Sequence, residues 1–434
     1  MVEGHCQMKE GTPTPGSFKK RLLICSPGVP HESFGASVVL FYHYIKKMKE
    51  MGFETLHILL LEPNNHTEEQ VNEYISTMTE PGKFEIFPCR AAKFIRIGPQ
   101  YYRLNPAPCA EIIRRGEVFL PDVIVCLDVL SAWVTSKIKA RAKLVWLGDL
   151  NFQTEWYHGI YAAREKASNA LYLPLVWLRC FAWKRIYRNV LRKINSVVIS
   201  SKSSGEHLKA LGIHAKYLPY PWPDSCQLDE GIPVKPPIAP SFLFFGTLTG
   251  LGSRSAFHFM LQEVYPRAID LWGRNGFAIF ISGARGLPEW VVDAIADKPE
   301  FKYLGFVENI GRLMSACHAI LVPIDVPVGN RSRIITAMAK GALVIAHANV
   351  SLGNPDLVDG ETCYLADRAD QFVERMKRAI DCPAEVQNIV VKARTCYEKQ
   401  FRPEVATEML RHELIRIMEA PSPYAVDALS ETNL

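Results

Sequence analysis

Along most of this chain, short apolar runs alternate with amphipathic stretches of helical length. In the first half the runs fall at residues 21–25, 55–61, 122–127, 143–147 and 196–200, and they are continuous in Val, Ile and Leu rather than alternating. A strand with both faces buried reads this way, as the strands of a parallel sheet do. Between the runs lie stretches such as 36–51 with helical periodicity. A β-then-α rhythm of this kind predicts a doubly wound α/β sheet.

The rhythm stops at residues 219–241, where seven of 23 residues are proline. Proline fixes φ and removes a backbone donor, so neither a helix nor a central strand continues through such a segment. We read it as a stiff linker. Beyond it, strands are predicted at 242–245, 277–281, 301–304, 319–323 and 342–346. Helices are predicted at 255–272, 288–297, 310–317, 331–340 and 368–380, and two long ones at 384–400 and 403–418. The expected fold class is α/β, with two tandem Rossmann-like domains, 21–218 and 242–402, facing a central cleft. The last helix (403–420) is expected to cross back to the first domain, and 1–20 and 421–434 read as tails. Ligands of open α/β sheets sit beyond the carboxyl ends of the strands, so the cleft is the expected site.

Composition removes several classes. Of 434 residues, 48% are hydrophobic and 22% charged, which excludes a disordered chain, a collagen-like fibre and a coiled coil. No apolar run approaches the roughly 18 residues of a membrane span. The eleven cysteines include no CxxC, so a zinc ribbon or thioredoxin-type motif is excluded. Single cysteines inside apolar runs, such as Cys25 and Cys126, read as small core residues of a reducing, cytoplasmic compartment. A net charge of +5 is too mild to imply nucleic acid. The charge is local, however: residues 164–193 hold eight bases and one acid.

Two regions offer anion-binding chemistry. The first βα turn, Ser26 to Ser37, has Gly35 opening a helix, where backbone N–H groups can hold an anion. It is not a GxGxxG loop, and plain helix–strand packing by Gly35 is the equal reading. The second domain is richer. Three predicted strand ends carry glycine, at Phe245-Gly246-Thr247, Ile281-Ser282-Gly283 and Leu304-Gly305-Phe306-Val307. A fourth runs into Gly329-Asn330-Arg331-Ser332-Arg333 at a helix start. Glycine lets a ligand approach the backbone closely, and free N–H groups, a helix dipole and guanidinium groups together suit a diphosphate. The competing reading is a solvated helix start with surface arginines.

The stretch 242–366 resembles the donor-binding half of GT-B glycosyltransferases, in particular family 4. The resemblance rests on the Phe-Gly strand end, the Gly305-Phe306-Val307 turn and the proline-ended strand before the glycine loop. It continues through Thr336-Ala-Met-Ala-Lys-Gly-Ala-Leu-Val-Ile-Ala346 and Pro355-Asp-Leu-Val-Asp-Gly-Glu-Thr-Cys-Tyr364. It implies a GT-B enzyme that moves a sugar from a nucleotide-sugar donor to a glycan or lipid-linked acceptor, retaining, metal-independent and without a cofactor. The donor diphosphate would involve Gly35, Gly246, Thr247, Arg254, Gly283, Phe306 and Val307, together with Gly329, Asn330, Arg331, Ser332, Arg333 and Thr336. Two family glutamates spaced eight residues apart are replaced here by Val328 and Thr336, and Thr247 replaces an arginine, leaving Arg254 as the nearest base. Asp149 follows Gly148 where relatives carry His-Asp, and His158, ten residues beyond Gly148, is the candidate substitute or else a surface histidine. Asp149 and His158 are the expected catalytic pair. A GT-B-type sugar-nucleotide epimerase and a non-catalytic GT-B partner protein stand as alternatives.

The basic segment carries a last expectation. Trp183, Ile186, Tyr187, Val190, Leu191 and Ile194 form a helical apolar stripe that suits the domain core. Exposed bases beside the aromatic patch 171–178 (LYLPLVWL) suggest contact of residues 164–193 with an anionic membrane surface.

Overall fold

The computed structural model describes residues 20–32, 37–62, 66–90, 93–224, 240–248, 250–283, 286–307, 310–329 and 331–420. The tails, Gly35, Asn330 and linker residues 225–239 lie outside the described residues.

The first sheet is built from β1 (Arg21–Pro27), β2 (Glu54–Leu61), β3 (Phe84–Arg90), β6 (Val123–Cys126), β7 (Ala142–Leu147), β8 (Ser196–Ile199) and β9 (Ala215–Tyr217). Its order is β3-β2-β1-β6-β7-β8-β9, and every pairing is parallel. An antiparallel hairpin of β4 (Phe94–Gly98) and β5 (Tyr101–Leu104) stands apart from it. The second sheet contains β10 (Ser241–Phe245), β11 (Ala278–Ser282), β12 (Phe301–Gly305), β13 (Ala319–Val322), β14 (Val344–His347) and β15 (Tyr364–Ala366). Its order is β12-β11-β10-β13-β14-β15, again parallel throughout.

In each sheet the chain works outward on one side and then returns to the middle to work outward on the other. The reversals fall between β1 and β6 and between β10 and β13. Diverging βα loops leave a crevice at such switch points, and this is where doubly wound folds bind ligands. The central strands are fully buried: Leu22, Ile24, Ile124, Val125, Leu243 and Ile320 expose nothing.

The crossing-back helix, Pro403–Glu419, lies against Ser37–Glu50 of the first domain. Its Leu410, Leu414 and Ile417 are buried, and buried Glu413 accepts hydrogen bonds from Ser196 (2.6 Å) and Lys216 (2.9 Å). Lys47 pairs with Glu408 at 3.0 Å. The first residues of the linker are packed rather than free. Tyr220 is buried, the Trp222 N–H donates to Phe401 O (2.8 Å), and the Tyr397 hydroxyl donates to Trp222 O (2.9 Å). Asp224 then takes ion pairs from Lys340 and Arg394.

The helix expected at 255–272 begins earlier, at Leu251, and passes through a π turn, Met260–Val264, into Tyr265–Trp272. Pro266 cannot donate to the preceding turn, and widening that turn accommodates the loss.

Candidate active site

A cavity of about 300 Å³ opens between the two domains at the second sheet's switch point. The second domain supplies Leu251–Ser253, which start a helix, together with Val322 at the end of β13, Ile324, Val328 and Gly329 beyond it, and Arg331, Ser332 and Arg333 at the start of the helix Ser332–Ala339. The first domain supplies Asp149, beyond the end of β7, and Thr154 and His158 from the helix Asn151–Glu165. Neither second-domain helix has a side-chain cap at its start. Two sets of first-turn N–H groups, each at the positive end of a helix dipole, therefore lie at one cavity.

Two arginines sit between those helix starts. Arg331 is 8% exposed; its Nη2 donates to Val326 O (2.5 Å), while its Nε is buried without a hydrogen-bond partner. Burial lowers its pKa, and the neighbouring Asp149 opposes that shift. Arg333 bonds Ser253 Oγ and, at 3.4 Å, Thr247 O. Burial, reinforced by repulsion from Arg331, pulls its pKa down to about 10. At neutral pH both remain charged, so the cavity holds two cations close enough to repel each other. An orphaned guanidinium N–H beside an unfavourable cation pair is the environment an anion would relieve.

Glycine makes this packing possible at two points. Gly329 has φ +100°, and a Cβ there would lie 3.1 Å from Arg331 Nη1 and 3.3 Å from Asp149 Oδ2. Gly246 has φ +113°, and a Cβ there would come within 2.5 Å of Arg333 Nε.

The remaining candidates divide. Asp149, His158, Gly329, Arg331, Ser332 and Arg333 come together at the cavity. Thr247 and Gly246 stand behind Arg333. Gly283 packs on Gly246 rather than on the cavity. Phe306 and Val307 follow β12, at the sheet edge, with β11 and β10 between them and the switch point, and neither lines the cavity. Arg254 points across the cleft to an ion pair with Glu165. Thr336 is turned away: its hydroxyl donates to Ser332 O (2.9 Å) and accepts from Trp222 Nε1 (2.8 Å).

The sequence reading missed three contributors. Gly252 and Ser253 lie before the helix predicted at 255–272, yet they form the first turn of a helix at the cavity. Asp128, two residues beyond β6, caps the helix Val129–Val134 at the first sheet's own switch point, in a second cavity of about 360 Å³ that shares Asp149 with the first. Its backbone has φ +149°, a region that disfavours a side chain and costs on the order of 1–3 kcal/mol. The Asp128 carboxylate accepts from Ser131 N (2.9 Å), and burial pushes its pKa up to about 6. An aspartate at a strand's carboxyl end was the available signal; its burial and strain were not readable.

Fold and site together define a class: the chain has the GT-B architecture, two doubly wound domains facing a cleft. Residues 239–382, within the second domain, match the family described as glycosyl transferases group 1. Among solved structures, sucrose-phosphate synthase from Thermosynechococcus elongatus is similar at 15% identity and TM-score 0.65, over 93% of this chain and 100% of that one. A glycosyltransferase from Rickettsia africae gives 14% and 0.62 over 93% and 100%. Anabaena HepE in complex with UDP gives 13% and 0.62 over 92% and 100%. At these identities the likeness is one of fold. No curated protein sequence matches the chain.

Proposed function

We propose that the protein transfers a sugar from a nucleoside-diphosphate sugar to a glycan or lipid-linked acceptor, with retention and without a metal ion. The observation that carries this reading is the convergence of Arg331, Arg333 and two uncapped helix starts on one cavity. In the reaction these groups stabilise the negative charge that develops on the leaving diphosphate. Asp149 and His158 face them from the first domain, where the donor sugar and the acceptor hydroxyl meet. The cavity holding Asp128, Glu62 and Lys93 lies next to Asp149 and receives the acceptor.

The cleft is bridged by Arg164–Asp325 (3.3 Å) and by Arg254–Glu165. Exposed pairs of this kind contribute about 0–1 kcal/mol each, so they allow the opening that substrate exchange needs. HepE, by its description, binds UDP, which supports a nucleoside diphosphate as the donor's leaving group here.

Titration calorimetry with UDP, GDP, ADP and dTDP, in the presence of a chelator, tests the reading. One of these should bind, and Arg331→Ala should weaken binding by about 1.5–3 kcal/mol, the range for hydrogen bonds to charged groups. The replacement of both family glutamates, by Val328 and Thr336, favours the second reading, a non-catalytic GT-B partner. Absence of binding by all four at millimolar concentration would put that reading in its place.

A further inference from the structure

The segment Leu173–Leu191 is one helix whose two faces differ completely. Val176, Cys180, Trp183, Tyr187, Val190 and Leu191 are buried in the first domain. The exposed side reads Pro174, Trp177, Phe181, Lys184, Arg185 and Arg188. At about 100° per residue these six fall on one narrow stripe. The amino-terminal half of the stripe is apolar and the carboxyl-terminal half is basic.

The apolar half stands proud of the surface. Trp177 is 58% and Phe181 52% exposed, their rings stacked at 6.2 Å, and the turn before the helix adds Leu171 at 83% and Tyr172 at 63%. The basic half continues into Arg192 and Lys193. From Lys166 to Gly205 the chain contains no acid. Arg164 and Arg179, beside the stripe, have carboxylate partners in Asp325 and Glu155. Among the described residues, Arg185, Arg188, Arg192 and Lys193 have none. The β4–β5 hairpin leans on the same helix through Phe94 and Tyr102, whose rings lie 4.9 and 5.1 Å from that of Trp183. It extends the same charge sign, with no acid between Glu85 and Glu111.

We propose that this stripe docks the protein on an anionic phospholipid surface. Leu171, Tyr172, Trp177 and Phe181 would enter the headgroup layer, and the bases beyond them would face lipid phosphates. A bilayer presents an apolar layer and negative charge along one plane, matching an exposed stripe whose two halves are aromatic and basic. A nucleic acid would satisfy the bases and leave the four apolar side chains in water. The docking is independent of the chemistry assigned to the cleft. It would nonetheless hold the cleft close to the bilayer, because the helix Asn151–Glu165, which carries His158, packs directly on this one through Cys180 Sγ to Phe152 O (3.2 Å).

The test is sedimentation of the full chain with phosphatidylcholine vesicles that do or do not contain one-third phosphatidylglycerol. Binding should need the anionic lipid and weaken as salt rises. Arg185→Gln with Arg188→Gln should lower affinity about fivefold per base removed. Trp177→Ser with Phe181→Ser should lower it at least as much and should also abolish what remains at high salt. All four side chains are exposed, so the thermal midpoint should not move, and nucleoside diphosphate binding should persist. Equal sedimentation with neutral vesicles, or no loss in either double variant, overturns the proposal. Binding to RNA that the aromatic pair does not affect, with none to vesicles, would assign the bases to a polyanion instead.

Discussion

Asp128 shows how one side chain can be both a helix cap and a structural cost. Its carboxylate caps Ser131 N, yet burial pushes its pKa from an ordinary 3.8 to about 6. A carboxyl raised in the folded state binds more protons there than in the unfolded chain. Stability from this group is therefore present at low pH and is lost as pH rises between about 4 and 6. Asparagine keeps the capping oxygen and carries no charge to desolvate. Asp128→Asn should thus be more stable than the wild type at pH 7, by on the order of 2 kcal/mol, with the advantage vanishing near pH 4. Denaturant unfolding at several pH values reads this directly, and a constant difference between the two proteins across the range would refute it. An ionised, strained carboxylate kept at such cost beside Asp149 is consistent with a role toward the acceptor.

At the scale of elements, the linker start and the helix Ser332–Ala339 act as one unit through Trp222 and Thr336. Thr336→Val keeps the shape but leaves the Trp222 indole N–H without its acceptor. It should lower stability by about 1–2 kcal/mol while leaving nucleoside diphosphate affinity within about twofold. A large loss of affinity with unchanged stability would return Thr336 to the ribose. Apart from β12, an edge strand with Lys302, Tyr303 and Leu304 exposed, the strands that were legible in the sequence are the buried ones, whose runs of Val, Ile and Leu need no partner information to be read. Those that escaped are the other edges and the hairpin. β3 contains Pro88 and buries only Phe84 and Cys89, β9 and β15 have three residues each, and β4 is mostly exposed. A strand half in water loses the continuous apolar signal. Residues 171–178 and the Trp183 stripe looked like two features, yet they share one helix: Trp177 is exposed on it, Val176 is buried on the Trp183 side, and Leu171 and Tyr172 lie in the turn before it. The arginine pair was legible because Gly-Asn-Arg-Ser-Arg is local in sequence. The Arg254–Glu165 pairing joins residues far apart in the chain and needed the cleft to be seen.

The whole molecule is tied together twice: once by the packed start of the linker and once by the helix Pro403–Glu419. That helix fills an apolar slot beside Tyr44, Met48, Val125 and Leu144. Burying a Leu or Ile side chain contributes about 1.5–3 kcal/mol, and a domain's net stability is only about 5–15 kcal/mol. A chain ending at Arg402 loses Leu410, Leu414 and Ile417 together with the Glu413 hydrogen bonds to Ser196 and Lys216. Its first domain should unfold at a markedly lower temperature in calorimetry while the second keeps its own transition. An unchanged scan would mean that the helix merely rests on the surface.

The same helix sets an order of events during synthesis. The first sheet leaves the ribosome with that slot open, and the residues that close it are made only after the entire second domain. At the usual elongation rate of about 5–20 residues per second the wait is roughly 10–40 seconds, during which Tyr44, Met48, Val125 and Leu144 face water or a chaperone rather than their partners.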